Sequence, residues 1–162
     1  MNNMDTIKLM LALLAITTSG VVLAAEKTFA LTAFSSVEVR QGVNLSIKCA
    51  ATSSMVVSGS ADTLDKLQVT TNNQALSLVN DAADNVRLGS RTLDITLYTS
   101  KPLTGLAGKA GIKIVAPACA VDQSRLTVAG SMGTDIQIAG KTGELVLDLA
   151  MGSTFNKHPL TF

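Results

Sequence analysis

The stretch Leu126 to Ile138, LTVAGSMGTDIQI, sets two alternating strands on either side of one glycine-centred break. Leu126, Val128, Ile136 and Ile138 point one way, and Thr127, Asp135 and Gln137 point the other. A period of two with one apolar face is the mark of a half-buried strand. The phrase has two relatives nearby: Leu106 to Ile114 (LAGKAGIKI) and Leu147 to Phe155 (LDLAMGSTF). Gly111, Gly133 and Gly152 thus recur at intervals of about 20 residues, the length of one coil in a stacked β-solenoid. These glycines are read as structural, serving tight corners or close backbone approach.

Outward from that stretch the alternation continues. Val37, Val39, Val43, Leu45, Ile47 and Cys49 share a face, opposite Glu38, Asn44, Ser46 and Lys48. It returns at Leu67 to Val69, Leu76 to Leu78 and Leu93 to Leu97. Turn residues punctuate it at Gln41-Gly42, Ser58 to Ser60, Asn72-Asn73, Gly89-Ser90 and Gly140-Lys141. Only Ala61 to Lys66 reads as a helical turn. The expected fold is therefore all-β, a parallel β-solenoid, with a β-sandwich as the alternative that suits the first half. An outer-membrane barrel is rejected, because aromatic girdles need Trp, Tyr and Phe, and this chain has no Trp and one Tyr.

The first 25 residues read as a secretory signal. Lys8 precedes an apolar run, Leu9 to Leu23, broken by Thr17, Thr18, Ser19 and Gly20. Small residues at Ala24 and Ala25 suit cleavage. A retained membrane anchor is the competing reading, against which the run is short. No cysteine follows the cleavage point directly, which argues against a lipoprotein anchor. Residues 26–162 then form a single domain. Lys8 and Asp5 leave together, so the net charge of +1 is kept. Scattered charge of that size gives no footprint for nucleic acid or an anionic membrane.

Both cysteines, Cys49 and Cys119, lie in the exported part. They form either a disulfide, worth about 4 kcal/mol for a loop of roughly 70 residues, or two thiols packed as small apolar groups.

Phe34 to Val43 (FSSVEVRQGV) resembles the opening strand pair of the head GIN domain, an autotransporter-adhesin head. Val56 to Gly59, with Leu64, Leu67, Val69 and Leu76 to Leu78, is similar to that family's second block. The phrases at Gly111, Gly133 and Gly152 look like its repeated rungs. The resemblance spans Phe34 to Phe155. It implies a right-handed parallel β-helix, export, and no established catalysis. The chain departs from it in carrying fewer terminal rungs and no translocator barrel.

The residues agree with a non-catalytic role. A hydrolase needs a nucleophile, a base and an orienting group together. Only His158 offers an imidazole, in a tail expected to be loose. Asp122, Asp135 and Asp148 are evenly spaced but out of step with the glycines, and alternation turns Asp135 and Asp148 to solvent. A calcium loop needs several converging oxygens. The densest set, Asn80, Asp81, Asp84 and Asn85, reads as a polar turn. Gly105, Gly108 and Gly111 lack the spacing of a phosphate loop. No cofactor is expected.

The expected function is an exported binding or structural module of the bacterial envelope, periplasmic or on the cell surface. Its flat face would meet an envelope protein or glycan. The alternative is a polysaccharide-active enzyme using Asp135 and Asp148, whose carboxyls must then lie within about 5–10 Å. Self-association through an uncovered strand edge is a third expectation.

Overall fold

The computed structural model describes residues 24–83 and 92–158. Residues 1–23 of the expected signal, Asp84, Asn85 and the Gly89-Ser90 turn lie outside them. In chain order the elements are β1 (Ala25–Ala30), β2 (Ser36–Arg40), β3 (Val43–Cys49), β4 (Ser54–Gly59), α1 (Ala61–Leu64), β5 (Leu67–Asn72) and β6 (Ala75–Asn80). After a 3-10 turn (Asp81–Ala83) come β7 (Leu93–Thr99), β8 (Gly105–Lys109), β9 (Lys113–Ala116), α2 (Ala118–Val121), β10 (Gln123–Ser131), β11 (Asp135–Ala139), β12 (Thr142–Leu149) and β13 (Thr154–His158).

These strands form two mixed sheets. One has the order β1-β4-β7-β3-β9-β11-β13 and the other β12-β10-β8-β2-β6-β5. The all-β expectation holds. The sheets are not wholly parallel: β1, β4 and β5 pair antiparallel. Both sheets share one core, as in the sandwich alternative. Within that body β2/β3, β8/β9, β10/β11 and β12/β13 stack as parallel rungs, one strand in each sheet.

Period-two alternation builds the core. Val37 lies in register with Leu76 and Leu106, and Val128 with Leu106 and Leu147. In the facing sheet Leu45 pairs with Ile95 and Ile114, and Ile136 with Ile114 and Phe155. Leu76, Leu106, Leu45, Ile95, Ile114 and Ile136 are buried. Each fully buried aliphatic side chain contributes about 1.5–3 kcal/mol of transfer free energy. Among the described residues four buried polar side chains stand out, and all have partners. Thr134 donates to Ser131 O at 2.8 Å and Thr99 to Lys101 O at 2.6 Å; Asn80 Nδ2 donates to Gly42 O at 3.3 Å, and Thr63 meets Ser60 Oγ at 2.7 Å.

The glycine phrases are the corners that carry the chain from one sheet to the other. Each holds two successive left-handed residues: Gln41 and Gly42, Ala110 and Gly111, Met132 and Gly133, Met151 and Gly152. The corners stack through their backbones. Gln41 N donates to Lys109 O (2.9 Å), Gly42 N to Ala110 O (3.0 Å), Gly111 N to Met132 O (3.0 Å) and Gly133 N to Met151 O (3.0 Å). A Cβ on Gly133 or Gly152 would meet nothing within 4 Å. At these two positions glycine answers to φ, not to close approach.

One local expectation is corrected: His158 does not lie in a loose tail but ends β13, which runs parallel to β11 with Thr154 against Asp135 and His158 against Ala139. Leu147 and Leu149 point toward the core side yet remain 46% and 37% exposed, because no described strand covers the outer edge of β12.

Candidate binding face

The outer surface of the seven-stranded sheet carries polar side chains in rows that cross the strands. One row runs Glu26, Ser58, Asp94, Asn44, Lys113, Asp135 and Thr154, each paired with the next through the strand register. The parallel row runs Thr28, Val56, Thr96, Ser46, Val115, Gln137 and Asn156. Strand spacing sets neighbours in a row about 4.8 Å apart. The alternation that buries Leu45, Ile95 and Ile114 is what turns these groups outward.

Hydrogen bonds along the rows hold several of them in place. Asn44 Nδ2 donates to Asp94 Oδ1 at 2.8 Å, and Thr154 Oγ1 donates to Asp135 Oδ1 at 2.9 Å. Gln137 Nε2 donates to Asp135 Oδ2 at 3.0 Å. Asn44, Ser46, Asp94, Thr96, Lys113 and Val115 line a shallow depression of about 500 Å³. It offers amide, hydroxyl, carboxylate and ammonium groups beside one exposed apolar surface, Val115. Such a set suits a polar ligand laid flat across the strands.

The outer face of the six-stranded sheet differs in kind. Its central row is Ser77, Glu38, Ala107, Ala129 and Asp148, mostly too short to grip a ligand. Glu38 is already engaged by Arg40 Nε at 2.7 Å.

The carboxylates named from the sequence do not converge. Asp135 stands on the outer face of one sheet and Asp148 on the outer face of the other, with the core between them. They cannot act as an acid–base pair on one sugar. Asp122 has a structural task, accepting from Lys141 N at 2.6 Å. Asn80 is buried against Gly42, and Asp81 accepts from Gln68 Nε2. Among the described residues no three His, Cys, Asp or Glu side chains gather as a metal site.

Cys49, at the end of β3, is joined by a disulfide to Cys119 in α2, with Cα atoms 6.4 Å apart. Both residues are exposed, so they do not serve as core packing. No helix among the described residues is long and apolar enough to cross a membrane.

Of the face residues sequence reasoning singled out only Asp135, and that as an enzyme carboxylate. The strand alternation marks Asn44 and Ser46 as outward, but their meeting with Asp94 and Lys113 depends on strand order.

Two mixed sheets around one core, one of them with polar rows on its outer face, define an all-β module. The chain belongs to the family described as "Putative auto-transporter adhesin, head GIN domain", whose model matches residues 33–161. The fold is similar to a putative adhesin from Parabacteroides merdae (TM-score 0.69, 12% identity), covering 82% of this chain and 55% of that one. It is also similar to a putative adhesin from Parabacteroides distasonis (TM-score 0.62, 10% identity), with 84% and 57% covered. A putative adhesin from Bacteroides fragilis matches at TM-score 0.51 and 12% identity, with 84% and 97% covered. The chain thus spans little more than half the length of the first two. No curated protein matches the sequence.

Proposed function

We propose that this domain is an exported, non-enzymatic binding module of the bacterial cell envelope, adhesin-like in use. It holds an envelope protein or glycan on the outer face of the seven-stranded sheet. The observation that carries this reading is the polar row through Asn44, held by the Asn44–Asp94 hydrogen bond, which with Ser46 and Thr96 of the next row lines a shallow depression. Membership of an adhesin-described family supports it. The path β8–β9–β10 supports a right-handed coil for the parallel rungs, since parallel crossovers overwhelmingly take that hand.

The test is binding of the labelled, purified chain to isolated bacterial envelopes, before and after stripping of glycan or protein. Retention that is lost with one of those treatments, and with arginine at Ser46, agrees with the proposal. Sugar turnover by the purified chain, abolished by one point substitution, would sink it.

A further inference from the structure

Among the described residues five large apolar side chains are exposed, and four gather at one end of the body. Leu147 (46%) and Leu149 (37%) lie on β12, Met151 (77%) follows on the last corner, and Met132 (49%) sits on the corner beside it. Leu145, Leu147 and Leu149 continue the core rows of Leu126, Val128 and Gly130. Their far side has no described neighbour, and among the described strands β12 is the edge of its sheet. A free edge with apolar residues invites another strand.

The residues of that edge are complementary to themselves. Leu145-Val146-Leu147-Asp148-Leu149 reads apolar, outward, apolar, outward, apolar about Leu147. An antiparallel copy centred on Leu147 sets Leu147 against itself and Leu145 against Leu149. It also sets Asp148 against Val146 and Glu144 against Ala150, so no two carboxylates meet. Shifting the centre to Val146 would oppose Glu144 and Asp148, and shifting it to Asp148 would oppose that residue to itself. Like charges directly opposed destabilise a strand pair. Centring on Leu145 instead leaves Leu149 facing Lys141. Only the Leu147 register pairs all three leucines and keeps the acids apart.

We propose that β12 pairs antiparallel with β12 of a second copy of this chain about a two-fold axis at Leu147, joining two bodies end to end. The contact is isologous and closes at two copies. It covers the exposed leucines and leaves the polar rows of the seven-stranded sheet free on both copies. This goes beyond the proposed ligand-binding role and does not depend on it.

The experiment uses the full-length chain, expressed with its own N-terminal segment, in sedimentation velocity from micromolar to near-millimolar concentration. A monomer–dimer equilibrium is expected. Val146→Asp opposes two carboxylate pairs across the axis and weakens the dimer about three- to tenfold, whereas Val146→Lys tightens it by a similar factor. Leu147→Cys, facing its own copy, yields a disulfide-linked dimer on mild oxidation; Leu145→Cys, facing Leu149, does not. A monomer at every concentration overturns the proposal, including one that binds anionic lipid vesicles instead. So does a dimer indifferent to both Val146 substitutions, or one that Leu145→Cys links and Leu147→Cys does not.

Discussion

Asn44 donates its side-chain amide to Asp94 at 2.8 Å, although 50 residues separate them in the chain. Parallel pairing of β3 with β7 sets the two side by side on an exposed face. The bond makes a pre-formed pair of polar groups at a surface where neither is needed for the core. Asn44→Ala is therefore expected to cost under about 1 kcal/mol of stability, since an exposed hydrogen bond contributes little net. Its effect on envelope binding should be larger. Chemical denaturation beside a binding assay on the same samples separates the two.

The corner glycines divide into two classes. A Cβ on Gly140, at φ +118°, would lie 2.7 Å from Ala118 Cα and 2.5 Å from Asp122 Oδ1. Gly140→Ala meets both backbone strain and a clash, so a loss of about 3 kcal/mol or more is expected. Gly133→Ala meets only the left-handed φ of +76° in open space, so about 1–2 kcal/mol is expected. Urea midpoints of the two variants check the difference, and equal losses would contradict it.

Gly108 is a third case, with an ordinary φ and no room. A Cβ there would stand 2.6 Å from Thr134 Cγ2 and 3.3 Å from Ile112 Cβ. Gly108→Ala is expected to cost about 1–3 kcal/mol through overpacking. Pairing it with Thr134→Ser, which removes the clashing methyl, should recover part of that loss. A double-mutant cycle in thermal unfolding reads the coupling.

Reading the sequence by period two turns Val37, Val39, Val43, Leu45 and Ile47 inward, and all are buried. The repeated glycines also mark the corners, because a left-handed φ leaves a residue-level trace. Strand order leaves none. β2 lies between β8 and β6, so the first rung in sequence is inside the stack. No local pattern announces that β6 and β7 pair on one side of the first rung and β8 and β9 on the other. The helix Ala118–Val121 is four residues long, too short for a helical period to show. The face escaped for the same reason as the order: its rows are made of residues from seven strands.

The disulfide closes a span of 70 residues from β3 to α2. Replacing Cys49 and Cys119 by serine is expected to lower unfolding free energy by about 4 kcal/mol in the chain-entropy account. Guanidinium unfolding with and without reductant measures it. Wild-type chain under reductant should match the double variant, and an unchanged midpoint would contradict the prediction.

The central claim is that the outer face of the seven-stranded sheet binds an envelope component. The most direct measurement compares retention on isolated envelopes of wild-type chain, Ser46→Arg, and Ser77→Arg on the opposite face, with folding of all three verified by circular dichroism. Ser46→Arg should lose binding at least tenfold, about 1.4 kcal/mol, while Ser77→Arg binds as wild type. Equal binding by all three, or loss only with Ser77→Arg, would contradict the account.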